Sequence, residues 1–236
     1  MGKLIIDFFN KEKHGEVYLE ECPNGTRYFS KRVNDFPVYH EQFKPLSDKQ
    51  IDFLENELNQ SGANYKFPEW LREFYKITNG CNVFFDSLSI YGEQTPIVLD
   101  EKNNLSKSLL NRTDSSWMAP YDMRINDKID RDSRNRWLVI GSYSFDGTEI
   151  SWDYKNQRIV AMYKLSELVS MKKWKNLKEL DYEKAICAEW DSFDLFFLQE
   201  TERLRKVASV CEIDDKEFCG WEKTLPIGHK DHEDLE

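Results

Sequence analysis

The 236-residue sequence predicts an α+β fold with antiparallel strands. Two observations carry that prediction. Period-two alternation of apolar and polar residues flanks short turns at two places, which is the pattern of hairpins and meanders. Elsewhere the apolar residues recur at helical spacing between recognisable start and stop residues.

Residues 1 to 45 read as an N-terminal β-hairpin extension, in which GEVYLEE and TRYFSKRV alternate on either side of the turn residues CPNG. A helix follows from Ser47, which with Gln50 has the spacing of a capping box. The Ser hydroxyl accepts from an early backbone N–H there while the Gln side chain reaches back. Ile51, Leu54 and Leu58 then share one face. After a break at Ser61-Gly62, the stretch FPEWLREFYKITNG marks a second helix. Pro68 suits its first turn, where an N–H would have no partner, and Glu69 sits at the positive end of the helix dipole. Leu71, Phe74, Tyr75 and Thr78 line one side, with Trp70 and Ile77 widening the stripe, and Gly80 suits the left-handed turn past the end.

Cys81 to Gly92 reads as a strand, with Leu88 and Ile90 on one face and Ser87, Ser89 and Tyr91 on the other. Residues 93 to 136 hold eight acids and eight bases, too long a run for an ordinary loop, and a short helix is expected around Leu105 to Leu110. WLVIGSYS, EISWDY and IVAMYK, separated by FDGT and KNQ, predict a three-stranded antiparallel meander. SELVSMKKW reads as helical. A stronger helix is expected from Trp190 to Val207, with Phe193, Phe196, Phe197 and Leu204 as its apolar stripe.

Composition narrows the function. With 40% hydrophobic and 14% aromatic residues the chain buries a core, yet it is 32% charged. No apolar run approaches the roughly 20 residues that cross a bilayer, and MGKLIIDFFNKEKH turns to charge without a cleavage-like site, so a cytoplasmic protein is expected. Five cysteines, Cys22, Cys81, Cys187, Cys211 and Cys219, contain no C-x-x-C pair; buried, reduced thiols are expected rather than disulfides or zinc. The formal net charge of -10 disfavours direct nucleic-acid binding and suits a cationic partner. Residues 212 to 236 hold nine acids and three bases, and 208 to 236 read as an acidic, solubilising, mobile tail.

The sequence carries no motif that names a reaction. G-x-G-x-x-G, G-x-x-x-x-G-K-[ST], G-x-S-x-G and H-E-x-x-H do not occur; His40-Glu41 starts like the last, but position 44 is Lys. His229, Asp231 and His232 lie in the acidic tail and lack the further ligands of a preorganised metal site. Arg131, Arg134 and Arg136 are interleaved with Asp127, Asp130 and Asp132, so internal ion pairing is expected of them rather than phosphate binding. No catalytic residue, cofactor or metal is assigned. The surface singled out is the second hairpin. Ile150, Trp152 and Tyr154 are expected to face the core, while Glu149, Ser151 and Asp153 face solvent. Asp122, Asp146, Glu149 and Asp153 are the candidate partner-binding residues, chosen on charge and expected exposure.

The order of these parts resembles the SMI1/KNR4 family of the SUKH superfamily. In that family a Pro-started helix running into Asn-Gly leads into the sheet, matching Pro68, Asn79 and Gly80. A later hydrophobic–Ile-Gly, Asp-Gly and Asp hairpin matches Ile140, Gly141, Asp146, Gly147 and Asp153. The resemblance covers residues 47 to 200 and places a family-like domain at 46–207. Cys81 stands where the family often has a second Gly, and residues 1–45 and the tail lie outside the usual domain. The resemblance implies an antiparallel sheet flanked by helices and no catalytic residues. Bacterial members look like immunity proteins that neutralise toxin domains, often nucleases, of polymorphic toxin systems; fungal members are linked to cell-wall synthesis and signalling. The expected function is therefore non-catalytic neutralisation of a cognate, basic toxin domain, with a regulatory scaffold as the alternative. Oligomeric state is left open.

Overall fold

The structure, a computed structural model, describes residues 2–13, 16–21, 25–33, 36–60, 66–84, 87–92, 136–144, 147–163, 182–209, 225, 226 and 228. Its first element is a helix that the N-terminal sequence does not announce. Gly2–Lys13 form helix α1, in which Ile5, Phe8, Phe9 and Glu12 are buried. Their i, i+3, i+4, i+7 spacing is one helical face, obscured in the sequence because its fourth member is a carboxylate.

Strands β1 (Glu16–Glu21), β2 (Arg27–Val33) and β3 (Phe36–Gln42) follow, and β1 pairs antiparallel with β2 as the alternation predicts. Next come helices α2 (Asp48–Gln60) and α3 (Glu69–Ile77), strands β4 (Cys81–Val83), β5 (Leu88–Ile90), β6 (Trp137–Tyr143), β7 (Glu149–Asp153) and β8 (Arg158–Met162), a 3-10 turn at Tyr182–Ala185, β9 (Ile186–Trp190) and helix α4 (Phe193–Ser209). Among the described residues, all nine strands lie in one antiparallel sheet in chain order. The expected antiparallel sheet flanked by helices is what forms. The N-terminal strands belong to it, because β3 pairs with β4 through His40, Glu41 and Gln42 opposite Val83, Asn82 and Cys81.

The capping box at α2 forms by half. Gln50 Oε1 accepts from the Ser47 backbone N–H at 3.0 Å, but the Ser47 hydroxyl donates to the same oxygen at 2.8 Å instead of accepting from the helix. In α3, Leu71, Phe74 and Tyr75 are buried, and Pro68 stands at the N-cap in extended conformation. The helix stops at Thr78, whose N–H still bonds the Phe74 carbonyl at 2.9 Å while its hydroxyl donates to Phe43 O at 3.1 Å. Gly80 then adopts φ +84, and a Cβ there would lie 2.6 Å from the Ile90 carbonyl oxygen. Glycine is required for both reasons.

Two expectations are corrected. Cys81 to Gly92 is a hairpin rather than one strand: the chain reverses at Phe84, φ +54, and the Ser87 N–H closes onto Phe84 O at 3.0 Å. The last helix begins at Phe193, not Trp190. Ile186–Trp190 pair with β8, and Ser192 Oγ accepts from the Leu195 N–H at 3.2 Å, an N-cap that sets the true start. Phe193, Phe196, Phe197 and Leu204 of α4 are buried as the stripe predicts. The helix expected near Leu105 to Leu110 and SELVSMKKW lie outside the described residues.

The core fills the space between the helices and one face of the sheet, where Leu88, Ile90, Leu138, Ile150 and Ile159 meet α1, α3 and α4. Phe8 of α1 touches Phe197 of α4 edge-on at 5.2 Å, and Trp70 of α3 stacks on Phe193 at 4.7 Å. The opposite face of β6 to β8 is covered as well, since Trp137, Val139, Ser151, Asp153, Val160 and Met162 are all buried. Of the expected tail, Leu225 joins the core cluster, so that point of the chain is anchored rather than mobile.

Candidate interaction face

The second hairpin does not present the acidic face that alternation suggests. Asp153 is 0% exposed, and the solvent-facing placement expected of it is corrected. The reason is the two-sided burial of β6 to β8: on a strand covered from both faces, a polar residue in the pattern no longer marks solvent. Ile150 and Trp152 are buried on the core face as expected.

A buried carboxylate needs partners, and Asp153 has several. Its Oδ1 and Oδ2 accept from Arg136 Nε at 3.0 Å and Nη2 at 2.9 Å, a fork-to-fork pairing. The same oxygens accept from the backbone N–H of Lys155 at 3.0 Å and from Asn156 Nδ2 at 2.8 Å, closing the turn into β8. Burial works against the charge, but the hydrogen bonds from Arg136 and Asn156 outweigh it and hold the carboxyl below its ordinary range. Its bond to Asp153 raises the Arg136 guanidinium in turn. The internal pairing expected of Arg136 thus occurs, with Asp153 and Glu183 as its partners. Arg158, directly across from Asp153, bonds Glu183 at 2.8 Å and also pairs with Glu189. Glu189 is 60% exposed and closes this ladder at the β9 edge.

Glu149 is the one candidate that the structure places at partial exposure. Asp122 and Asp146 lie outside the described residues. Pairing across the sheet puts Glu149 opposite Ser142, Ser142 opposite Ser89, Ser89 opposite Asn82, Asn82 opposite Glu41, and Glu41 opposite Tyr28. These six residues from β2 to β7 form one row of polar side chains, about 24 Å long at about 4.8 Å between strands. They stand on the face away from the helices. Glu41 accepts from Asn82 Nδ2 and both are buried, fixing the middle of the row, while Tyr28, Ser89, Ser142 and Glu149 are partly exposed. Tyr91 donates to Ser142 Oγ at 2.8 Å, and Tyr39, next to the row on β3, is 47% exposed. Alternation within each strand gives the face; only strand register gives the row, and that escaped the sequence.

Other buried polar groups brace the fold. Glu12 pairs with Arg205 across α1 and α4 and lies 3.7 Å from His40 Nε2 of β3. Tyr143 donates to Glu200 Oε2 at 2.8 Å, and Arg203 holds the same carboxylate. Burial pushes the Tyr143 hydroxyl and the Cys81 thiol well up, away from the ionised forms that nucleophilic chemistry uses. Neither Cys81 nor Cys187 is in a disulfide. Among the described residues no three His, Cys, Asp or Glu side chains gather in a metal-holding group, and no helix is long and apolar enough to cross a membrane.

The side chains of the row donate and accept hydrogen bonds and carry aromatic surface. No curated protein and no solved structure matches this chain. A family model described as SMI1 / KNR4 family (SUKH-1) matches residues 45–199, well over half of the sequence, and spans α2 through the first two turns of α4. By that match the chain belongs to the SMI1/KNR4 family (SUKH-1).

Proposed function

We propose that this chain is a non-catalytic immunity protein, which binds a cognate toxin domain in the cytoplasm through the polar row on its sheet face and thereby blocks the toxin's active surface. Family membership supports the class of function, since bacterial members resemble such proteins. The observation that carries the reading is the row itself: tyrosine, serine, asparagine and glutamate lined up across six strands, on a chain of net charge -10. Tyrosine supplies broad contact surface at little entropic cost, and serine and glutamate supply adaptable acceptors. A nuclease presents basic residues to phosphate, so an acidic partner competes for that surface and reaches it quickly by electrostatic steering.

In this reading Glu149 touches the partner, and Asp153 acts one step behind, holding the β7–β8 turn in shape. The test is to look for a large toxin gene beside the one encoding this chain and to measure surface plasmon resonance against that toxin's C-terminal domain. Binding at or below about micromolar concentration is expected for a specific interface. No binding at that concentration defeats the immunity reading and favours a regulatory scaffold in cell-wall synthesis or signalling.

A further inference from the structure

The two edges of the sheet are protected in different ways. An edge strand exposes a row of backbone donors and acceptors that invites pairing with another chain, and charged side chains are one common guard. Strand β1 has the sequence EVYLEE, three carboxylates in six residues. Strand β9 has the sequence ICAEW, apolar but for Glu189, with its first three residues only partly buried and a bulge where it meets β8. By composition β9 is the vulnerable edge.

A piece of distant chain reaches it. Leu225 is buried in the core cluster that Cys187, Ala188 and Trp190 of β9 pack against. Pro226 beside it is buried and has no N–H to offer to a neighbouring strand. Gly228 adopts φ +103 so close to β9 that a Cβ would lie 2.4 Å from the Cys187 carbonyl oxygen. Backbone thus lies on backbone there, at an approach and a dihedral angle that only glycine combines without strain.

We propose that Leu225, Pro226 and Gly228 mark a strap across β9, anchored by Leu225 and seated by Gly228, which keeps the sheet from pairing through that edge with a second copy of this chain. Strap and sheet edge belong to one molecule, so the strap outcompetes a second copy at any ordinary concentration through its effective concentration.

Gly228→Val tests the seating without touching the core, since residue 228 is itself exposed; Leu225→Asp tests the anchor. Sedimentation across a dilution series reads self-association, and mass-spectrometric alkylation of Cys187 reads strap opening. The expected result is a wild-type chain of monomer mass, with both variants forming a dimer at the higher concentrations and Gly228→Val alkylating Cys187 about tenfold faster, as for loss of local protection. If Leu225→Asp unfolds, as a melting curve shows, Gly228→Val alone decides. Faster alkylation of a variant that stays monomeric overturns the protective role. Unchanged alkylation overturns the strap, and a wild-type chain already dimeric through β9 overturns both.

Discussion

Asp153 shows how one residue's meaning depends on what lies over it. The sequence gives it the right type and the right face for partner binding, but both faces of its strand are covered, and it spends its oxygens on Arg136, Lys155 and Asn156. Asp153→Asn removes the charge that Arg136 meets in a buried setting, and is expected to cost about 3 kcal/mol in urea denaturation at neutral pH. Because the folded pKa is lowered, this stability is fully present above the unfolded value near 4 and is lost as pH falls through the folded value. The gap in urea midpoint between wild type and Asp153→Asn should therefore narrow below about pH 4. A gap that stays constant there would show that the charge contributes nothing. At Gly80, by contrast, sequence and structure agree: Gly80→Ala places a methyl group against Ile90 O at φ +84 and is expected to cost more than about 2 kcal/mol, read from the same denaturation curves.

At the scale of elements, what the sequence shows best is a helix with an uninterrupted stripe. Helix α3 shows its start, its buried face and its end, because Leu71, Phe74 and Tyr75 are all apolar and Gly80 is a local requirement. Phe74 touches Tyr75 and Phe193 edge-on at 5.8 Å and 5.3 Å, so Phe74→Ala opens a cavity between α3 and α4. A loss of about 3 to 5 kcal/mol is expected by calorimetry or denaturant, and one under about 1 kcal/mol would mean that the helices close up over the gap. Helix α1 was harder to see, since its stripe ends in Glu12, whose burial is tolerable only because Arg205 arrives from α4 far along the chain. Strand β9 carries no strand signal, and its last residue Trp190 reads as the start of the following helix, for a similar reason: its partner β8 is remote, and nothing in ICAEW by itself alternates.

For the molecule as a whole, the continuous sheet decides how much chain must fold together. The family match begins at residue 45, yet β3 pairs with β4, and Phe8, Phe9 and Val38 lie in the core. A fragment lacking residues 1–44 exposes the β4 edge and part of the core, so it is expected to lose near-ultraviolet circular dichroism or to aggregate. A well-folded, cooperatively melting fragment would instead make the N-terminal strands an optional extension. Whole-molecule charge bears on binding. With a net charge of -10, association with a basic toxin domain should slow severalfold as salt rises through physiological ionic strength, while dissociation changes little. A salt effect confined to dissociation would place the charge in buried pairs and remove steering from the account.

By itself the sequence determined the features set by neighbours along the chain: the N-terminal hairpin, the meander, α3 with its glycine stop, the stripe of α4 and the acidic balance. Those depend on periodicities of two and 3.6 residues and on turn chemistry, which short stretches specify without help. The tertiary structure alone decided which polar residues are buried, where Glu12 and Asp153 find their cations, how one row of side chains forms from six strands, and that Leu225 returns to the core. Each of those rests on strand register or on a partner tens to hundreds of residues away, and a pattern read within one element contains neither.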